Sequence, residues 1–151
     1  MPQVRVSEVV RAEPEAVYRL FLDVESFPRF MPNVERIEVV ERGEGWAVSR
    51  WLTDLDGAPL TWCERDTYDP ENLVVAFQLT EGDIAKFEGH WAFLPHEAGT
   101  LALCVLDYEL GVPLIEEVVG PTLREKVERN IATMLAAVEA RVSAVAPGRD
   151  I

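Results

Sequence analysis

The segment from Pro121 to Val145 constrains the fold more than any other part of this 151-residue chain. Its apolar residues recur mostly at three- or four-residue steps, which places them along one side of an α-helix. They are Leu123, Val127, Ile131, Met134, Val138 and Val145. The charged residues fall mostly on the opposite side, as on a solvent-facing surface. The segment therefore predicts a long amphipathic helix, about 37 Å long at roughly 1.5 Å per residue.

The apolar stripe does not continue upstream of this segment. Leu114 lies well over a hundred degrees around the helix axis from Val127, at about 100° per residue. Proline lacks an amide hydrogen and disfavours helical geometry in the residue before it, so the change of phase coincides with Gly120-Pro121. We therefore expect a short helix from Pro113 to Val119, then a kink or break, then the long helix. In the alternative, Pro121 occupies the first turn of the long helix.

The chain between Val34 and Leu110 alternates apolar and polar residues in short runs, which is typical of antiparallel strands. Asp56-Gly57 is a hairpin-turn signal, and a turn centred there pairs Trp51 with Trp62. The next turn, Asp69 to Asn72, is expected to pair Glu64 with Phe77. One face of these three strands is then specified, because a shift by one residue would invert it. That face carries Trp51, Leu60, Trp62, Glu64, Asp66, Tyr68, Leu73, Val75, Phe77 and Leu79.

The remaining elements complete an α+β architecture. Gln3 to Val10 alternates as an edge strand, and Glu13-Pro14-Glu15 begins a short helix. Ser26 to Pro32 follows as a second, one-turn helix. The later strands are expected to turn Phe87, Trp91, Phe93, Ala102, Cys104, Leu106 and Tyr108 inward. The pattern predicts a curved antiparallel sheet of about seven strands around a long C-terminal helix, with residues 1–145 as one domain and 146–151 as a frayed tail.

Composition excludes several classes of function. The formal net charge of −13 argues against nucleic acid and against anionic membrane surfaces, which both select basic patches. Cys63 and Cys104 form no CxxC motif and are expected to be buried thiols of a cytoplasmic protein. His90 and His96 lack metal-ligand spacing, so we expect no metal and no cofactor. No secretory signal and no apolar run long enough to span a membrane is visible.

A sheet wrapped around a helix leaves space between the two, and this chain would line that space with aromatic side chains. Such a lining with few polar groups is typical of a small-molecule site. The expected ligand-binding residues are Phe27, Phe30 and Met31 at the mouth, with Trp51, Trp62, Tyr68, Phe77, Phe87, Trp91, Phe93, Tyr108, Val127, Asn130 and Met134. Two alternatives stay open here: the core is filled without a cavity, or, as a separate matter, the Phe27 to Met31 segment simply fills the core.

Four motifs resemble a known family: Glu15-Ala-Val-Tyr18, Phe27-Pro-Arg-Phe-Met-Pro-Asn-Val34, Trp62 followed by Asp69-Pro70, and Gly89-His-Trp91. Their order and spacing are similar to the START-like (SRPBCC) superfamily, in particular its polyketide cyclase/dehydrase and coenzyme Q-binding branch. The resemblance covers nearly the whole chain. It implies a helix-grip fold with a ligand cavity beneath the C-terminal helix.

The resemblance also identifies a departure from the family's pattern. Aromatase/cyclases carry a pocket arginine four residues after the strand tryptophan, and counting from Trp62 that position is Asp66 here. Their pocket tyrosine corresponds to a position on or near Val34. Glu64 and Asp66 are instead two acids predicted to face the cavity, where burial and like charge raise carboxyl pKa values. Three roles stay open for them: acid/base catalysis, hydrogen bonding to a ligand, and pairing with Arg50 or Arg65.

Two functions of different class follow. The first is binding of a hydrophobic, aromatic or polyketide-like molecule, with acid/base cyclisation or dehydration as in a polyketide cyclase/aromatase. The second is non-catalytic binding or transport of a quinone or lipid. Fold alone does not decide between them, because one fold hosts carriers and enzymes. The oligomeric state has no signal in the sequence.

Overall fold

The computed structural model describes residues 3–55, 57–82, 84–109 and 113–144, without the side chains at positions 55, 58, 113–121, 143 and 144. These described residues form seven strands, two α-helices and a short 3₁₀ helix at Val24–Arg29. In order they are β1 (Gln3–Val10), α1 (Pro14–Leu22), the 3₁₀ helix, β2 (Val34–Gly43), β3 (Trp46–Leu55), β4 (Ala58–Asp69), β5 (Val74–Gly82), β6 (Lys86–His96), β7 (Gly99–Glu109) and α2 (Pro113–Ala144). The predicted fold class is confirmed.

The strands form one antiparallel sheet in the order β1-β7-β6-β5-β4-β3-β2. Strands β2 to β7 follow one another as hairpins, and β1 adds to the free edge of β7. The helix α2 packs along β1 and also contacts β3 and β7. Val138 on α2 is completely buried, as the apolar stripe predicted, and Leu135, which the stripe did not include, is completely buried as well. Helix α1 covers β5, β6 and β7 through Val17 and Phe21, which are also buried.

The first predicted hairpin is confirmed in register. Trp51 pairs with Trp62, and Ser49 pairs with Glu64. Gly57 adopts a φ of 93°, in the left-handed region that glycine enters without a steric cost. This freedom explains why the turn signal located the hairpin correctly.

The second hairpin is shifted by two residues from the prediction. Glu64 pairs with Leu79 and not with Phe77, and the turn closes on Asp69 and Val74. Asp69 accepts hydrogen bonds from the backbone and side-chain nitrogens of Asn72 at 3.2 and 2.8 Å. Leu73 joins the turn with a φ of 53°. Because the shift is an even number of residues, every predicted inward side chain keeps its face.

The expected break in the C-terminal helix is wrong. Helix α2 runs without interruption from Pro113 to Ala144, through Gly120-Pro121. A proline inside a helix removes one backbone hydrogen bond, at a cost of about 3 kcal/mol, and the remaining bonds of a long helix sustain its path. A bend of α2 at Gly120-Pro121 stays a prediction. The predicted tail at 146–151 lies outside the described residues. Within the described chain, no helix has the length and apolarity needed to cross a membrane.

Candidate functional site

A cavity of about 110 Å³ lies between α2 and the concave face of the sheet. Its lining is almost entirely apolar and comes from β3 to β7, the segment between β5 and β6, and α2. The lining residues are Trp51, Thr53, Leu60, Trp62, Glu64, Phe77, Ile84, Phe87, Trp91, Cys104, Leu106, Tyr108, Leu123, Val127, Asn130, Ile131 and Met134. The alternative of a core filled without a cavity is therefore wrong.

Aromatic rings form the wall contributed by the sheet. Trp51 and Trp62 lie directly opposite each other on neighbouring strands, and their rings stack with centroids 5.4 Å apart and planes 13° apart. Such directly opposed side chains are the closest pairs in an antiparallel sheet. Phe87 continues the wall, with its centroid 4.9 Å from that of Trp62. The wall offers flat ring faces on which a planar molecule can stack.

One carboxyl group interrupts this wall. Glu64 is 5% exposed, and its Oε1 accepts a hydrogen bond from Trp62 Nε1 at 2.8 Å. Asp66, two residues further along the same face, is 2% exposed and hydrogen-bonds to the Glu64 side chain. Asp66 does not line the cavity and lies behind Glu64. A single carboxyl group is thus presented to the largely apolar space among the described lining residues.

Two side chains of β3, Ser49 and Trp51, extend the hydrogen bonds of the two acids. Ser49 Oγ lies 3.4 Å from Asp66 Oδ2 and accepts a hydrogen bond from Trp51 Nε1 at 2.9 Å. The buried hydrogen bonds therefore run from the Trp51 indole through Ser49 and Asp66 to Glu64, and Trp62 donates at the other end. The stacked tryptophans thus serve both the ring wall and the polar network. Networks of this kind fix side-chain orientation when every member has a partner.

Burial dominates the electrostatics of the two acids. It raises the pKa of Glu64 above its usual range, and the hydrogen bonds from Asp66 and Trp62 oppose the rise. It also raises the pKa of Asp66, to about 11, and the nearby charge of Glu64 adds to the effect. Both shifts follow from the cost of placing charge in an apolar interior. The two carboxyls hold at least one proton between them at neutral pH.

The structure brings many of the predicted ligand-binding residues to the cavity. Those that line it are Trp51, Trp62, Phe77, Phe87, Trp91, Tyr108, Val127, Asn130 and Met134, together with the predicted catalytic residue Glu64. Asn130 also ties the helix to β3, because its side-chain nitrogen donates to the Asp54 carbonyl oxygen at 3.2 Å.

The other predicted ligand-binding residues do not line the cavity, which corrects that expectation. These are Phe27, Phe30, Met31, Tyr68 and Phe93. Phe27 and Met31 are each 1% exposed, and the Phe27 ring packs edge-on against Phe21 with centroids 5.3 Å apart. This segment fills the core beneath α1 and does not form a lip over the cavity. Phe93 also packs against Phe21 of α1, with ring centroids 4.8 Å apart.

Some lining residues were not predicted. Thr53 follows Trp51 by two positions in the same strand, so alternation alone could have placed it on the inward face. Ile84 is buried in the connection between β5 and β6, where no periodic signal exists. The cavity wall also contains Cys104, and burial raises the pKa of its thiol. No group of three or more potential metal ligands occurs among the residues with described positions.

The chain is similar to a known sequence family over most of its length. The family model described as polyketide cyclase / dehydrase and lipid transport matches residues 10–135. The chain is also 30% identical, over 151 residues, to the actinorhodin polyketide synthase bifunctional cyclase/dehydratase of Streptomyces coelicolor. That match covers 97% of this chain and 46% of the relative, so the chain spans about half of the relative's length.

Solved structures with the same fold include two with recognisable sequence similarity. TTHA0849 from Thermus thermophilus superposes with a TM-score of 0.90 at 35% identity, covering 96% of this chain and 99% of that one. The Zhui aromatase/cyclase from Streptomyces sp. R1128 gives a TM-score of 0.81 at 26% identity, covering 94% and 93%.

Proposed function

Because the chain belongs to the polyketide cyclase / dehydrase and lipid transport family, as its motifs predicted, we propose that it binds a ring-containing, polyketide-like molecule in the cavity beneath α2. The observation that carries the proposal is Glu64, a carboxyl group on a wall of stacked aromatic rings. Apolar sites with one or two placed polar groups are the usual form of small-molecule sites.

The size of the cavity limits what it holds. Ligand sites for drug-sized molecules enclose about 300–1,000 Å³, whereas a dry cavity of roughly 150 Å³ accepts benzene. The present volume of about 110 Å³ therefore suits a single ring. Leu60, Phe87, Leu123 and Val127 are only partly buried, so a larger ligand would enter by displacing these side chains.

Glu64 is suited to proton transfer on such a ligand. A carboxyl whose pKa is raised by burial works as a general base or acid nearer to neutral pH. As a base, the Glu64 carboxylate takes a proton from the carbon between two carbonyl groups, and the resulting enolate attacks a third carbonyl to close a ring. As an acid, it returns that proton to the alkoxide formed by the attack, which becomes a hydroxyl. In a dehydration, Glu64 then takes the remaining proton from the same carbon and delivers it to this hydroxyl, which leaves as water while a carbon–carbon double bond forms. Asp66 positions Glu64 through their shared hydrogen bond.

A second candidate is non-catalytic binding of a hydrophobic molecule such as a quinone or lipid. The observation that favours it is the absence of lysine, arginine and histidine from the described lining residues. Asp66 stands where the resemblance places a pocket arginine, so no cation is positioned among those lining residues to stabilise a developing oxyanion.

The experiment that separates the candidates compares wild type with Glu64→Gln and Asp66→Asn, using a reactive poly-β-ketone mimic. A catalytic carboxylate replaced by its amide loses about 10²- to 10⁴-fold in rate while binding is nearly preserved. The proposal expects this loss in Glu64→Gln and a smaller one in Asp66→Asn. Saturable binding without turnover by wild type would instead establish the second candidate.

A further inference from the structure

The hydrogen bonds of Glu64 indicate which kind of ligand the cavity binds. This inference rests on the proposed function. We propose that Glu64 acts toward the ligand as a hydrogen-bond acceptor. The site then selects molecules that present a hydroxyl hydrogen, such as enols, phenols and hydroquinones. Ketones, quinones and ethers of the same shape are disfavoured.

Glu64 has two hydrogen-bond partners in the structure, the Trp62 indole and the Asp66 carboxyl group. The indole nitrogen of Trp62 can only donate, so Glu64 Oε1 must accept the hydrogen bond at 2.8 Å. The Glu64–Asp66 hydrogen bond requires one proton, because two ionised carboxylates have none to share. The question is which of the two acids holds it.

The hydrogen bonds around Asp66 indicate that Asp66 holds the proton shared with Glu64. Asp66 does not line the cavity. Its Oδ2 lies 3.4 Å from the Ser49 hydroxyl, and Tyr68 is a further titratable group that interacts electrostatically with it. Ser49 Oγ already accepts from Trp51, which leaves its own hydrogen free to point toward Asp66 Oδ2. A proton on Asp66 then points to Glu64, which receives donors from Asp66 and Trp62. Two received hydrogen bonds stabilise the ionised form of Glu64.

The Glu64 carboxylate keeps lone pairs that neither Trp62 nor Asp66 occupies, and these are available to the ligand. The remaining lone pairs of the Glu64 carboxylate face a cavity whose described lining contains no cationic side chain. A ligand hydroxyl can donate to these lone pairs, forming a charge-assisted hydrogen bond in a dry site. A carbonyl or ether oxygen at the same place puts two acceptors together without a proton. The difference corresponds to about a 10- to 100-fold preference in affinity.

The test uses two probes that share a single ring, phenol and anisole, of which only the first can donate. Isothermal titration at pH 7 is expected to show at least about 10-fold tighter binding of phenol by wild type. Glu64→Gln should reduce the preference to below about 3-fold. Asp66→Asn should keep it, because an asparagine amide still donates to Glu64. The exposed acid Glu41 on β2 provides the matched control, Glu41→Gln, with wild-type preference.

The outcomes distinguish this inference from the proposed function. Equal affinities in wild type, or tighter binding of cyclohexanone than of phenol, would overturn the inference and leave the cavity as a binding site. Tighter binding of the ketone would mean that Glu64 holds its own proton and donates it. If neither phenol nor anisole binds, the proposed function fails and the inference fails with it. The wild-type comparison alone decides these cases, so the result does not depend on the stability of any variant.

Discussion

Asp66 should make the stability of this protein fall as pH rises through neutrality. Burial, reinforced by the charge of Glu64, raises its pKa in the folded chain to about 11, whereas an unfolded aspartate titrates near 3.9. Between these values the folded protein holds a proton that the unfolded chain releases. The contribution to stability is therefore complete below about pH 4 and is lost as pH rises toward the folded pKa. The slope is at most about 1.4 kcal/mol per pH unit.

Asp66→Asn removes this proton exchange while keeping the shape and a donor to Glu64. Between pH 5 and pH 8, wild type should therefore lose up to about 4 kcal/mol of unfolding free energy relative to the variant. Urea denaturation followed by tryptophan fluorescence at four pH values measures the difference. Asp69→Asn is the control, because hydrogen bonds from Asn72 lower the pKa of this exposed turn residue, so it stays ionised across the range. Parallel pH profiles for wild type and Asp66→Asn would refute the reasoning.

Two other substitutions test the packing around the site. Gly89→Ala should destabilise the fold by about 3 kcal/mol, because a Cβ at this position would meet the Val105 carbonyl oxygen at 1.9 Å, and urea denaturation measures the loss. Trp62→Phe keeps a ring in the wall but removes the indole donor to Glu64, so we expect a loss of about 1–3 kcal/mol by the same assay. Wild-type stability in either variant would contradict the corresponding contact.

Local signals predicted the architecture and much of the site. The alternation on β3 and β4 located Trp51, Trp62 and Glu64 on one face, because strand geometry leaves only two choices. The register prediction for β4 and β5 was wrong at the turn after Asp69. The number of residues in that turn depends on Leu73 adopting a left-handed conformation, which is uncommon for leucine.

Long-range packing was the part that local signals could not supply. Phe27 and Met31 were assigned to the cavity mouth as large apolar residues of a one-turn helix between prolines. Both are instead buried in the core, where Phe27 packs against Phe21 of α1. Ile84 reaches the cavity from a connection between strands, whose path depends on the whole sheet. The order of hydrogen bonds from Trp51 through Ser49 to Asp66 likewise depends on side-chain rotations that no spacing encodes.

The central claim is that the cavity beneath α2 is the ligand site, and titration calorimetry with phenol on a cavity-filling variant tests it most directly. Ile131 lines the cavity and is 6% exposed, so Ile131→Trp places an indole in a space that holds one ring. Ala136 is exposed on the same helix, and Ala136→Trp is the matched control. We predict saturable one-to-one binding by wild type and by Ala136→Trp, and at least about a 10-fold loss of affinity in Ile131→Trp. Unchanged affinity in Ile131→Trp would show that the molecule binds elsewhere and would contradict the account.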